Sequence, residues 1–110
     1  MTSYIFANPG QVVRLIVQTT DGYGNRNDGY IPIVNNIYFP DLSTVVGYPL
    51  PMAKLEKGLY ISGLQLPTGQ TALGTYIVNI YWQDTSGNSH WEVFSINVAR
   101  PFGNAVVTPV

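Results

Sequence analysis

His90 is the only histidine of the chain, and Asp84, Ser86 and Ser89 lie just before it. A serine, an imidazole and a carboxylate are the parts of an acyl-transfer triad, but a triad also needs a base held in one orientation and donors aimed at an oxyanion. All four residues fall within one stretch of turn formers, so they read as turn chemistry and no catalytic residue is assigned. Glu92 is the nearest other acid. Glycoside hydrolysis needs a second carboxylate across a cleft, and no mate is evident, so Glu92 reads as a strand-end residue that reaches solvent or pairs with a base such as Arg14. Asp21, Asn25 and Asp28 offer oxygen ligands at spacings near those of a calcium loop, yet Tyr23 fills the second ligand slot and no glutamate closes the pattern. Residues 21–29 therefore read as a turn, with no metal and no cofactor expected. Cysteine is absent, which removes thiol nucleophiles, thiolate metal sites and disulfides.

The residues with more to offer are aromatic. Residues 74–84 and 90–98 are two runs rich in β-branched and aromatic side chains, separated by a turn around Ser86-Gly87-Asn88, which predicts a hairpin. With Trp82 facing Glu92, Ile80 facing Phe94, Val78 facing Ile96 and Tyr76 facing Val98, one face holds Tyr76, Val78, Ile80, Trp82, Phe94, Ile96 and Val98. Because side chains alternate along a strand, that face is core. The other face should be polar, but it carries Ile77, Tyr81, Trp91 and Val93 among Asn79, Gln83, Ser95 and Asn97, with Tyr81 and Trp91 expected as diagonal neighbours. Two uses fit these rings: burial against a protein partner, or stacking on a sugar with the amides as hydrogen-bonding groups.

The elements that must position this hairpin are short strands. Residues 11–20 alternate Val13, Leu15 and Val17 with Arg14, Ile16 and Gln18, the period of a half-buried strand. Pro32 places residues 30–40 at a sheet edge or strand start, with a bulge or break at Asn35-Asn36. Residues 59–66 form a further strand in which Gly63 suggests a bulge. Residues 41–51, with one glycine and two prolines, read as a surface connection whose apolar members, Tyr48 among them, are contact candidates. Residues 52–57 have helical potential for two turns at most, and no convincing helix appears. Strands with one apolar face bury it against a second sheet, so the expectation is an all-β, two-sheet antiparallel sandwich of about seven strands. It forms one domain over residues 1–110, with a core at 9–98, an N-terminal edge strand or arm at 1–8 and a C-terminal tail at 99–110. The apolar Phe102, Val106 and Val107 of that tail are expected to dock on a partner.

Charged side chains are 10% of the chain, against roughly 25% in an average soluble domain. Aromatics reach 13%. Interface cores are poor in Lys, Asp and Glu and rich in Tyr and Trp, so the bias favours a domain packed against protein neighbours. A net charge of −1 without a cluster of Lys or Arg gives no grip on a phosphate backbone, and nucleic acid is not an expected partner. No apolar run is long enough to span a membrane, and residues 1–4 lack the pattern of a signal peptide.

Three segments, Pro9-Gly10-Gln11-Val12-Val13, Gly58-Leu59-Tyr60 and Leu73-Gly74-Thr75-Tyr76, resemble strand entries of the Ig-like domains of macroglobulin-type and bacterial surface proteins. The resemblance covers residues 9–98, lacks the Ig cysteines, and implies an Ig-like sandwich with Tyr76 placed as a tyrosine corner. Pro40-Asp41-Leu42-Ser43, Gly47-Tyr48-Pro49 and Pro101-Phe102-Gly103-Asn104 are similar to segments of small Ig-like proteins of tailed bacteriophage particles. That family implies a non-enzymatic cement or decoration protein of the virion, assembled in the host cytoplasm on the major capsid protein, with a homo-oligomer as a further expectation. A place on the tail, neck or baseplate is the alternative, and a carbohydrate-binding module is the alternative of another class.

Overall fold

A computed structural model describes residues 2–28, 30–68 and 72–99. Eight strands run through them: β1 (Thr2–Ala7), β2 (Val12–Gln18), β3 (Ile33–Tyr38), β4 (Leu50–Pro51), β5 (Ala53–Glu56), β6 (Leu59–Gln65), β7 (Gly74–Gln83) and β8 (Ser89–Val98). They form a five-stranded sheet in the order β1-β8-β7-β3-β4 and a three-stranded sheet in the order β2-β6-β5. All pairs are antiparallel except β1 with β8, which is parallel. The architecture is an all-β two-sheet sandwich.

The core lies between the sheets and follows from alternation. Val13, Leu15 and Val17 point inward from β2, and Val34 and Ile37 from β3. Tyr76, Val78, Ile80 and Trp82 do so from β7, and Phe94, Ile96 and Val98 from β8. All seven hairpin residues assigned to the core from sequence are buried. Residues 2–7 are an edge strand whose Ala7 joins the core. Pro32 immediately precedes β3, and a register shift between Val34 and Asn36 puts a bulge at the paired asparagines. Gly63 sits without a bulge opposite Arg14. Residues 53–56, which carry helical propensity, form a strand because Ala53 and Lys54 find ladder partners in Ile61 and Tyr60.

Two five-residue turns share one construction. In Asp21-Gly22-Tyr23-Gly24-Asn25 and Asp84-Thr85-Ser86-Gly87-Asn88, the first N–H donates to the last carbonyl at 2.8 and 3.0 Å, and the glycine N–H donates back to the first carbonyl at 3.3 and 3.0 Å. The aspartate Oδ1 accepts the N–H groups of the third and fifth residues in both, Tyr23 and Asn25 in one and Ser86 and Asn88 in the other. Gly24 and Gly87 sit at φ 88° and 86°, a region that costs an L-residue roughly 1–2 kcal/mol. Residues 39–43 repeat the backbone pattern, with Phe39 N–H on the Ser43 carbonyl and Leu42 N–H on the Phe39 carbonyl.

In that third copy the glycine position is taken by Leu42 at φ 70°, with its side chain 74% exposed. Replacing Leu42 by glycine removes the left-handed penalty while adding chain entropy to the unfolded state. Leu42→Gly is therefore expected to raise stability by up to about 1 kcal/mol, read as a higher urea midpoint with an unchanged slope.

Candidate functional site

The hairpin of β7 and β8 is closed by Asp84, whose side chain is only 3% exposed. Its Oδ1 accepts the N–H groups of Ser86 and Asn88, both at 2.9 Å, and its Oδ2 lies 3.0 Å from His90 Nε2. An ionised carboxylate only accepts, so His90 Nε2 carries the proton of that bond. The His90 bond, followed by the loop N–H groups, pulls the Asp84 carboxyl from the ordinary 3.8 down to about 2. The imidazole also stacks on Trp82, with ring centroids 4.1 Å apart and planes 12° from parallel. His90 is thereby held as a clasp between the carboxylate and the core tryptophan. The Ser89 hydroxyl is engaged elsewhere, 3.1 Å from the Tyr81 hydroxyl.

This clasp corrects the hairpin register drawn from sequence. The loop spans residues 84–88, so Trp82 faces His90, Ile80 faces Glu92, Val78 faces Phe94 and Tyr76 faces Ile96. The shift is two residues, which preserves which side chains share a face. It also brings Tyr81 directly opposite Trp91 rather than diagonal to it.

The acids read as possible calcium ligands are occupied within the fold. Asp21 caps its own turn, and the Tyr23 N–H, then that of Asn25, holds its carboxyl below the usual range. Asp28 ties three segments together, accepting from Lys54 Nζ at 2.6 Å, Gly58 N–H at 2.8 Å and Tyr60 Oη at 3.4 Å. The Lys54 hydrogen bond, followed by that of Gly58, lowers its pKa. Among the described residues no three His, Asp or Glu side chains gather to hold a metal ion.

The remaining candidate is the outer face of the five-stranded sheet. Tyr81 and Trp91 meet with centroids 5.1 Å apart and planes at 57°. Ile33 lies beside Tyr81, and Pro51 beside Ile33, in one row across the strands. Trp91 is 50% exposed, while Ile77, Tyr81 and Val93 are half-buried. Next comes a polar belt in which Asn79 Nδ2 donates to Asn36 Oδ1 at 3.0 Å and Asn36 Nδ2 donates to Tyr38 Oη at 2.8 Å. Beyond it, Thr75 Oγ1 donates to Asn97 Oδ1 at 2.7 Å.

Two residues absent from the sequence-derived set join this face. The parallel register places Tyr4 beside Ser95 and Phe6 beside Asn97, and their side chains are 72% and 79% exposed. The signal for them was the alternation of Tyr4 and Phe6 with Ile5 and Ala7, but their partner strand could not be read from it. Tyr48, proposed as a contact, is half-buried and packs against the core. Phe102, Val106 and Val107 lie outside the described residues. The sequence matches no protein-family model and no curated protein.

Asp84 generates a pH prediction. Its folded pKa is depressed, so the stability it contributes is fully present above the ordinary 3.8 and is lost as pH falls through about 2. Stability measured by denaturant at stepped pH should therefore decline between about pH 5 and pH 2. Asp84→Asn should lower stability at neutral pH and flatten that decline. Part of the slope should remain, because Asp21, Asp28 and Asp41 are depressed as well.

Proposed function

We propose that the protein is a non-enzymatic structural protein that binds and stabilises, or decorates, a large symmetric assembly by burying the outer face of its five-stranded sheet against protein neighbours. The observation that carries this reading is the chemistry of that face. None of its outward residues on β1, β3, β7 and β8 is charged, yet Tyr4, Phe6, Ile33 and Trp91 are exposed on it. Charge is what normally keeps a sheet face in water, and exposed aromatic surface without it marks a contact site. The assembly favoured by the sequence resemblance is a bacteriophage capsid, with the major capsid protein as partner and the virion as location.

The same resemblance, to Ig-like domains, draws support from two features. The orders β2-β6-β5 and β8-β7-β3-β4 correspond to the B-E-D and G-F-C-C′ arrangements of immunoglobulin sheets. Tyr76 Oη donates to the Ala72 carbonyl at 3.2 Å, the bond of a tyrosine corner. Protein contact is favoured over sugar stacking because the Tyr81 and Trp91 planes are inclined by 57° and form no flat platform for a pyranose.

An aromatic side chain buries roughly 150–250 Å², and apolar burial contributes roughly 25 cal/mol per Å². Only the exposed half of Trp91 and a smaller part of Tyr81 remain to be buried, so the pair contributes a few kcal/mol gross per site, reduced by association costs and repeated over many sites. Tyr81→Ala combined with Trp91→Ala is expected to leave a folded protein, by circular dichroism, that loads poorly onto particles lacking it. Unchanged occupancy by quantitative mass spectrometry would overturn the reading. The copy number from the same measurement separates a capsid from a tail position, and deletion of residues 102–110 is expected to reduce loading further.

A further inference from the structure

Glu92 occupies an inward position of β8, opposite Ile80, in line with the core residues Phe94, Ile96 and Val98. It is half-buried and lines an open cleft of about 400 Å³ between the sheets, together with Ser3, Ile16, Val17, Gln18 and Phe94. The other acids have partners: Asp84 the loop and His90, Asp28 Lys54, Glu56 Arg26, and Asp21 and Asp41 their own turns. Among the described residues Glu92 makes neither a hydrogen bond nor an ion pair. Glu92 opens onto this solvent-filled cleft with no cation of its own chain paired to it among the described residues, so the cleft presents an unneutralised carboxylate to whatever docks there.

The chain carries its own complement. Arg26 and Lys54 are engaged, whereas Arg14 and Lys57 have no ion pair among the described residues, and of these two only Arg14 lies on a strand that walls the cleft. Arg14 is two positions along β2 from Ile16, a wall of the cleft. Because Val13, Leu15 and Val17 take the inner side of β2, Arg14 points outward, away from the cleft of its own chain. It is flanked on that face by Val12 and Ile16, which are 44% and 52% exposed. β1 and β2 are both edge strands, so no further strand of the sandwich covers this side.

We infer that a second copy of this chain docks here, inserting its Arg14 into the Glu92 cleft while receiving Glu92 around the Arg14 of the first. A two-fold dimer requires donor and acceptor on one self-complementary patch. Ile16 links the two, since it belongs to the cleft wall and to the Arg14 face. The guanidinium supplies a planar donor pair matched to a carboxylate, and Val12 and Ile16 of both copies bury beside it. This dimer uses neither Tyr81 nor Trp91, so it stands apart from the outer-face reading.

Sedimentation velocity of the full chain over a concentration series tests it. The parent should show a monomer–dimer equilibrium. Glu92→Gln and Arg14→Gln should each weaken it by about 30-fold or more while melting as folded proteins, and Glu92→Arg or Arg14→Glu should abolish it. The double exchange, Glu92→Arg with Arg14→Glu, should restore the dimer, and Tyr81→Ala with Trp91→Ala should not alter it. A parent that stays monomeric throughout, a dimer indifferent to both single changes, or failure of the exchange to restore it overturns the inference.

Discussion

The buried carboxylate of Asp84 is the constraint on which the rest depends. It closes the β7–β8 loop from within, and the loop length it enforces sets the register of the hairpin at the middle of the larger sheet. β1 and β3 then add to either side of that hairpin, and its inner face supplies much of the core. An ionised group is normally poor core material. Here two loop N–H groups and His90 surround it, and charge-assisted bonds of this kind are stronger than neutral ones. The neighbouring turn at Asp21 uses the same construction and lies against it, since a Cβ on Gly22 would collide with the Ser86 side chain.

Charge in this protein is spent on internal ties rather than on surface solvation. Asp28 joins the loop of residues 21–28 to β5 and to the β5–β6 turn, Arg26 pairs with Glu56, and Asp84 holds His90. With few charges left over, the outer face of the five-stranded sheet rests on amides and hydroxyls for its polar content, many of them bonded to one another. The outer side of the smaller sheet exposes Val12 and Ile16 beside Arg14. On the outer face of the five-stranded sheet, aromatic and aliphatic area can be buried without removing a charge from water, which keeps the desolvation cost low.

Much of the hairpin was readable because its chemistry is local. The parity of apolar residues in 74–98 identified the buried set, and that parity survives a register error of two residues. The register itself was misplaced since Ser86-Gly87-Asn88 looks like a sufficient turn by itself. What decides the loop length is the side chain of Asp84, whose role shows only when the D-x-x-G-N pattern is compared with residues 21–25. Residues 53–56 illustrate the opposite limit: their helical propensity is modest, and pairing with β6 outweighs it.

The sequence by itself determined the all-β class, the buried face of each long strand and the aromatic character of the hairpin's outer face, because alternation and turn residues act over a few positions. Only the tertiary structure decided what joins that face. Parallel pairing of β1 with β8 brings Tyr4 and Phe6 onto it, and β3 brings Ile33 beside Tyr81. These contacts link residues from opposite ends of the chain, and no local pattern encodes which edge a strand will choose. The same holds for Glu92. Its strand position was visible, but its isolation in a cleft follows from the separation of two edge strands in different sheets.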